Sequence, residues 1–272
     1  MLECVVNVSE GVDPSVLGAL RGAAGTALLD LHSDPDHHRS VLTLAGPEVQ
    51  DAARALAARA VELIDVRVHF GAHPRFGAVD VVPFVPLEDA GDDEALAARD
   101  DFARWFGDRG VPCFLYGPQR SLPEVRKGAF RSFGPDAGPP TAHPTAGACA
   151  IGARPVMIAY NLWIDGDDYD AVRDAARAMR GPGVRALALR VGDRLQLSFN
   201  LVRPSLVGPA DVHERAARRL PVTGAELVGL VPRSVLTATP RQLWSELDLS
   251  EERTIEARLE MAGFDRGKNR SG

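Results

Sequence analysis

The feature that most limits what this chain can fold into is the order in which its apolar residues change period: strand, helix, strand, strand, helix, strand, spelled out twice. The first pass opens with a β-branched apolar run at residues 2 to 8. Asp13-Pro14 follows with good helix-start chemistry and predicts a helix to about Ala24. Ala27 to His32 and Arg39 to Ala45 read as strands. Gly46-Pro47 then introduces a helix whose Val49, Ala52, Ala53, Leu56, Ala60, Leu63 and Ile64 share one face, and Val79 to Val85 reads as a buried strand. The second pass has a strand at 155 to 162 and a helix at 168 to 180 with Val172, Ala175, Ala176 and Met179 aligned. Strands follow near 184 to 191 and 194 to 202, then a helix start at Gly208-Pro209 that echoes Gly46-Pro47, and a closing strand from Gly224 to Val231.

Each pass is a pair of split βαβ units, so the predicted class is α+β: two βαββαβ, ferredoxin-like subdomains with helices on one face of each sheet, at residues 1–152 and 153–272. A cleft between two such subdomains is the default place for a ligand. Residues 91 to 154 extend the first subdomain with a helix near 92 to 109, a strand at 112 to 116, a short helix at 123 to 129 and a Gly/Pro-rich loop. A loop as long as Gly134 to Gly147 is either a binding segment or an inter-domain linker. The tail from Ser234 reads as two helices, with Leu249-Ser250 as a cap, and Arg266 to Gly272 as a frayed end.

Composition narrows the function classes. The 272 residues are 45% hydrophobic, enough for real cores, and the net charge of −6 with dispersed basic residues argues against a nucleic-acid binder. The start, Met1-Leu2-Glu3-Cys4, lacks a basic leader, and no apolar run reaches membrane-span length, so the expectation is a cytoplasmic protein with no membrane partner. Cys4, Cys113 and Cys149 form no CxxC pair and read as buried free thiols. No dinucleotide or P-loop glycine pattern and no GxSxG elbow occurs.

Histidines are concentrated early, at His32, His37, His38, His69 and His73, in loops or strand ends of the first subdomain. His73 stands in Gly71-Ala72-His73-Pro74-Arg75-Phe76-Gly77, just before a buried strand. An imidazole held there suits proton transfer between two nitrogens near neutral pH. The run Asp30-Leu31-His32-Ser33-Asp34-Pro35-Asp36-His37-His38-Arg39 carries metal-ligand residue types, but Pro35 interrupts it and no strict ligand spacing is present. A polar turn lining a cleft is the alternative to a metal site, and no metal is expected to be required. Arg39 pairs either with a ligand carboxylate or with Asp34 or Asp36 on this reading.

Four stretches together resemble one family. Glu3-Cys4-Val5-Val6-Asn7-Val8-Ser9-Glu10-Gly11, the His73 run continuing through Asp80-Val81-Val82-Pro83-Phe84, Tyr160-Asn161-Leu162 and Glu226-Leu227-Val228-Gly229-Leu230-Val231-Pro232 are similar, in order, to glutamate formiminotransferase. The resemblance implies transfer of a formimidoyl group between N-formimidoyl-glutamate and N5 of tetrahydrofolate, a co-substrate, in a ligand tunnel between two α/β subdomains, with His73 as the catalytic base. It also implies a folate-contacting segment at Gly138, Pro139, Pro140, Thr141, His143, Pro144, Thr145, Ala146 and Gly147. At Ala146 the animal fusion enzymes of the family carry an aromatic. Those fusions also hold a second, all-helical cyclodeaminase domain; this chain is expected to be the stand-alone form, with ammonia release left to a separate cyclodeaminase.

Within that frame, Arg39 and Arg75 match the carboxylates of glutamate or of the folate tail, and Asp80 is a candidate partner for a His73 imidazolium. Asn7, Asn161 and Asn200 are candidates for the mixed donors and acceptors of a pterin ring, with structural capping as the alternative. The partners implied are small molecules, a folate and a glutamate derivative, and a homodimer is compatible with this reading. Three rival functions share these residues: folate-dependent formyl transfer from N-formyl-glutamate or 5-formyltetrahydrofolate, a non-catalytic folate-binding paralogue, and a metal-dependent hydrolase built on Asp34, Asp36, His37 and His38.

Overall fold

A computed structural model describes residues 1–71, 75–87 and 90–264. Contacts divide the chain into two compact units, Met1–Pro155 and Val156–Gly272. The expected frayed end, Arg266 to Gly272, lies outside the described residues.

In the first unit, β1 (Leu2–Val8) leads to α1 (Pro14–Ala24), β2 (Leu28–Asp34), β3 (Arg39–Ala45), α2 (Val49–Leu63) and β4 (Val79–Pro86). The start of α1 is built as the sequence suggests: Pro14 occupies the first turn, and the Asp13 carboxylate accepts from the Ser15 N–H at 2.8 Å. Then come α3 (Asp92–Gly107), β5 (Cys113–Tyr116), α4 (Leu122–Gly128) and β6 (Cys149–Ala153). Ser121 and Glu124 form a reciprocal capping box on α4. The six strands lie in the order β2-β3-β1-β4-β6-β5. Its first four members give the ferredoxin-like arrangement, all antiparallel pairs, and β6 adds in parallel between β4 and β5.

The strand β6 is a departure from the sequence reading, which left residues up to 154 as loop after the short helix. Its five residues are nearly all buried, with a parallel neighbour on each side, so it has neither the length nor the alternation that marks a strand in sequence.

The second unit repeats the plan: β7 (Ile158–Ile164), α5 (Tyr169–Met179), β8 (Val184–Val191), β9 (Arg194–Leu201), α6 (Pro209–Ala217) and β10 (Val222–Val228). Its sheet order, β10-β7-β9-β8, is again ferredoxin-like and wholly antiparallel. The first strand begins a few residues later than the pattern suggested and the last begins two earlier, a usual uncertainty of strand ends. In the tail, α7 (Arg233–Ala238) and α8 (Ile255–Met261) follow, and the cap of α8 is Thr254 rather than Ser250: the Thr254 hydroxyl accepts from the Ala257 N–H at 3.1 Å.

Alternation divides each sheet into two faces. In the first, Cys4, Val6, Leu42, Leu44, Val82 and Phe84 pack with Leu20, Leu56, Phe102 and Phe106 from α1, α2 and α3. At the β4-β6-β5 end the other face is covered too, because α4 supplies Val125 to a smaller cluster with Val81, Phe114, Tyr116 and Ala150. The second sheet packs Ile158, Tyr160, Leu162, Leu195, Leu197 and Phe199 against Val172, Ala176, Val212 and Ala216. Cys4, Cys113 and Cys149 are free and buried, and burial pushes all three thiols up, so they remain protonated and behave as small apolar groups. Among the described residues no helix is long and apolar enough to cross a membrane.

Phe102 is a direct test of the first core. It is 1% exposed, with Phe84 and Phe106 rings at 5.9 and 5.5 Å between centroids. Phe102→Ala is expected to cost about 3–5 kcal/mol, read as a lowered urea midpoint with an unchanged denaturant slope.

Candidate functional site

The face of the first sheet opposite α1, α2 and α3 is polar. Opposite the apolar core, β1 contributes Glu3 and Asn7, β2 contributes Asp30 and His32, and β3 contributes Arg39 and Thr43. Asp30 pairs with Thr43, and both His32 and Asn7 pair with Val41. Glu3 and Thr43 are buried despite lying on the face without helices.

Arg39 organises one end of this face. Its Nε and Nη2 donate to Asn7 Oδ1 at 3.2 and 2.6 Å, and Asn7 Nδ2 donates to the Val5 carbonyl at 2.9 Å. Arg39 Nη1 lies 3.4 Å from Asp80 Oδ2, and Arg126 Nη2 from α4 approaches the same oxygen at 2.6 Å. The other carboxylate oxygen accepts from the Phe76 N–H at 2.5 Å. Asp80 is 1% exposed. Burial opposes its ionisation, but Arg39 and Arg126 more than offset that and hold the carboxyl below its ordinary value. Burial lowers the pKa of Arg39 and of Arg75, and the Asp80 charge opposes this at both.

The histidine-rich turn is occupied by local bonds. Asp34 Oδ1 accepts from the His37 N–H at 2.8 Å, and Asp34 Oδ2 is 3.2 Å from His37 Nδ1. His38 Nδ1 accepts from the Gly11 N–H at 3.2 Å, and the His38 ring lies 3.8 Å from that of His69. Arg75 Nη2 donates to the His37 carbonyl at 3.4 Å. Among the described residues there is no group of three or more His, Cys, Asp or Glu side chains placed to hold a metal ion. The Arg39 side chain reaches Asn7 and Asp80, because its strand alternation places it on the sheet face rather than over the turn. His73 lies outside the described residues.

The Gly/Pro-rich segment is tied down at both ends. Near its start, the Cys113 N–H donates to the Ala137 carbonyl at 2.9 Å, and Gly138 (φ +84°) packs against Gly107. Near its end, His143 and Gly147 exchange both backbone bonds, at 2.7 and 3.0 Å. His143 Nδ1 accepts from the Ala146 N–H at 3.0 Å, so the proton of the neutral ring sits on Nε2. Ala146 is 2% exposed and belongs to the first core; its carbonyl accepts from the Ala78 N–H at 2.9 Å. The Ala148 N–H donates to the Phe76 carbonyl at 3.0 Å, and the Val66 N–H donates to the Thr145 carbonyl at 2.8 Å. Gly77 lies under this contact: a Cβ there would stand 2.1 Å from the Ala148 carbonyl oxygen. Pro140, Thr141 and Pro144 remain exposed, while Pro139, Thr145 and Gly147 are half-buried. The segment therefore adjoins residues 76–78, at the C-terminal end of the His73 run.

The second sheet also carries polar groups on the face opposite its helices. Asn161, Ser198 and Glu226 sit in register on β7, β9 and β10, and Asn161 Nδ2 donates to Glu226 Oε2 at 3.1 Å. Gln196 pairs with Trp163, whose ring carries the Arg194 guanidinium at 4.0 Å. Asn161 and Gln196 are buried and Asn200 is exposed. Sequence reasoning missed Arg126, Glu226 and Gln196. Arg126 occupies an ordinary last-turn basic position of a short helix, and the other two occupy alternating strand positions that read as solvent-facing.

Two ferredoxin-like units, each with helices on one sheet face and several buried polar groups on the other, define a tandem α+β protein. Residues 1–154 match the family model described as formiminotransferase domain, N-terminal subdomain. The chain is 36% identical over 270 residues to a glutamate formimidoyltransferase of Streptococcus pyogenes serotype M1, covering 87% of this chain and 90% of that protein. It is 33% identical over 299 residues to a glutamate formimidoyltransferase of Thermoplasma acidophilum, covering 96% and 98%. Against the formimidoyltransferase-cyclodeaminase of Sus scrofa it is 34% identical, over 87% of this chain but 51% of the longer protein. The chain belongs to the formiminotransferase family of one-carbon transferases.

Replacing the shared carboxylate leaves two guanidinium groups without their buried counter-charge. Asp80→Asn is expected to lower stability by about 3–5 kcal/mol at pH 7. The pH dependence follows from the depressed native pKa: Asp80 contributes stability that is present above the unfolded carboxylate range and is lost as pH falls through the native value. Urea unfolding between pH 7 and pH 3 is therefore expected to show a shallower acid loss in Asp80→Asn than in the wild type; identical slopes would show that Asp80 is not the titrating group.

Proposed function

We propose that this chain is a glutamate formimidoyltransferase that moves the formimidoyl group between N-formimidoyl-L-glutamate and N5 of tetrahydrofolate, with His73 as the general base and acid. The observation that carries the reading is the similarity to the two glutamate formimidoyltransferases over nearly their whole length. The clasp that fastens residues 146–148 to residues 76–78, at the C-terminal end of the His73 run, supports it.

In the forward direction, the N5 lone pair attacks the formimidoyl carbon and the N5 proton passes to the His73 imidazole. The tetrahedral intermediate then collapses with cleavage of the bond from carbon to the glutamate nitrogen, and the imidazolium returns its proton to that nitrogen. One bond forms, one breaks and the proton is conserved. Such a relay is worth roughly 10²- to 10⁴-fold in rate, and holding both substrates together removes much of the remaining entropic barrier.

Asp80 acts on this reading as a positioning residue. Its carboxylate fixes the Phe76 N–H, and hence the C-terminal side of the His73 run, while holding Arg39 beside Asn7. Arg39 and Arg75 are assigned to substrate carboxylates, and Asn7, Asn161 and Asn200 to the polar edges of the folate. Among the segment residues, Pro140, Thr141 and Pro144 are the exposed contacts for folate, with Pro139, Thr145 and Gly147 beside them. Gly138, His143 and Ala146 shape the loop from within. Tetrahydrofolate is a co-substrate in this scheme, and a separate cyclodeaminase takes the product onward.

A donor panel tests the reaction. Wild-type protein with tetrahydrofolate is expected to form 5-formimidoyltetrahydrofolate from N-formimidoyl-L-glutamate and to be at least tenfold slower with N-formyl-L-glutamate; the reverse order would replace this function with formyl transfer. His73→Ala is expected to bind 5-formyltetrahydrofolate with wild-type affinity while kcat falls about 10²- to 10⁴-fold. Undiminished turnover would remove His73 from the mechanism.

A further inference from the structure

The turn between β2 and β3 is held rigidly enough to act as a seat. Asp34 Oδ1 accepts from the His37 N–H, and Arg39 is held by Asn7 and Asp80. Gly11 packs against both ends of the turn: a Cβ there would lie 2.3 Å from the Asp34 carbonyl oxygen and 2.6 Å from the Arg39 nitrogen. The Gly11 N–H also donates to His38 Nδ1 at 3.2 Å. His38 itself stands at φ +49°, in the left-handed region that few residues with a Cβ adopt. Three residues of the segment 69–75 rest on this turn. The His69 ring lies 3.8 Å from the His38 ring, the closest ring pair among the described residues. Gly71 passes so near that a Cβ would stand 2.5 Å from the His37 carbonyl oxygen and 3.0 Å from the His38 Cβ. Arg75 Nη2 donates to that same carbonyl at 3.4 Å. Gly71 and Arg75 bracket residues 72–74, so both flanks of the proposed base meet at one carbonyl group.

We propose that His69 is a positioning residue for His73, its ring bearing on His38 to fix the N-terminal side of the run. The inference rests on the proposed role of His73 and adds the contact that sets where that side chain stands. Both ring nitrogens of His69 are buried and have no hydrogen-bond partner. A ring whose nitrogens bond to nothing keeps its place through its faces, and it has no neighbour with which to exchange a proton. That separates it from a catalytic histidine. The C-terminal side of the run is fixed by hydrogen bonds, from the Phe76 N–H to Asp80 and from the Ala148 N–H to the Phe76 carbonyl. The N-terminal side is fixed by the ring pair and by the close approach of Gly71. A proton relay depends on both, because a misplacement of about 1 Å can cost roughly 100-fold in rate.

His69→Ala removes the ring, and His69→Phe keeps a flat ring without nitrogens. With tetrahydrofolate and N-formimidoyl-L-glutamate, His69→Ala is expected to lower kcat about 10- to 100-fold while each KM stays within about threefold of wild type. His69→Phe should restore kcat to within about threefold. His38→Asn, which suits a left-handed backbone but carries no aromatic ring, should match His69→Ala, and the double variant should be no slower than either alone. NMR of ligand-free protein carrying isotope-labelled histidine reads the geometry apart from turnover: the His73 signals, assigned by their loss in His73→Ala, should move in His69→Ala and return in His69→Phe. Equal loss of kcat in the Phe and Ala variants would make His69 a proton carrier and overturn the proposal. Unchanged kcat and unmoved His73 signals in His69→Ala would overturn it too, whatever the melting temperature. If the wild type transfers no formimidoyl group, or His73→Ala keeps full turnover, the proposed reaction or its base falls; the His73 signals then decide by themselves whether His69 places that side chain.

Discussion

Much of the first unit's candidate site hangs on one carboxylate. Asp80 lies at the start of a strand buried on both sides, and an ion in that position is stable only if its charge is met on the spot. Arg39 and Arg126 meet it from β3 and from α4, and the Phe76 N–H takes the remaining oxygen. Three pieces of chain that are far apart in sequence are thus fixed to a single point. The desolvation cost also explains why Arg39 is held against Asn7: a guanidinium with several donors in a fork satisfies the amide oxygen and the carboxylate at once.

Around that point the chain relies on main-chain bonds more than on side chains. Residues 76–78 and 145–148 hold each other through carbonyls and N–H groups, and Gly77 is required because any side chain would collide with the Ala148 carbonyl. Contacts of this kind fix a loop while leaving most side-chain identities free. Ala146 illustrates the point. Its side chain is in the first core and its backbone groups are both committed.

The two ferredoxin-like units were legible because their apolar residues switch period at each element, and period survives without any knowledge of neighbours. The helix starts were legible for the same reason: Asp13-Pro14 and Gly208-Pro209 act locally. The short strand β6 was not legible, since Cys149 to Ala153 carries no alternation when both faces are covered. Arg126 and Gln196 were hidden more deeply. Their roles come from pairing with Asp80, 46 residues away in sequence, and from burial on a sheet face that alternation assigns to water. Long-range electrostatics and tertiary burial leave no periodic trace, whereas the His73 run was conspicuous through its glycines and its place before β4.

The same topology has been put to different use in the two units. Only the first carries the parallel pair β5 and β6, and that addition is what brings the Gly/Pro-rich segment back beside β4. Its α4 also closes part of the polar face and supplies Arg126. The second unit has no such extension among its described strands. In the first unit the buried charges are matched within the protein, so they favour a fixed geometry. In the second, the Gln196 amide is buried without a hydrogen-bond partner among the described residues. A rigid, internally satisfied face suits the positioning of a proton relay, because groups that are already paired hold one geometry.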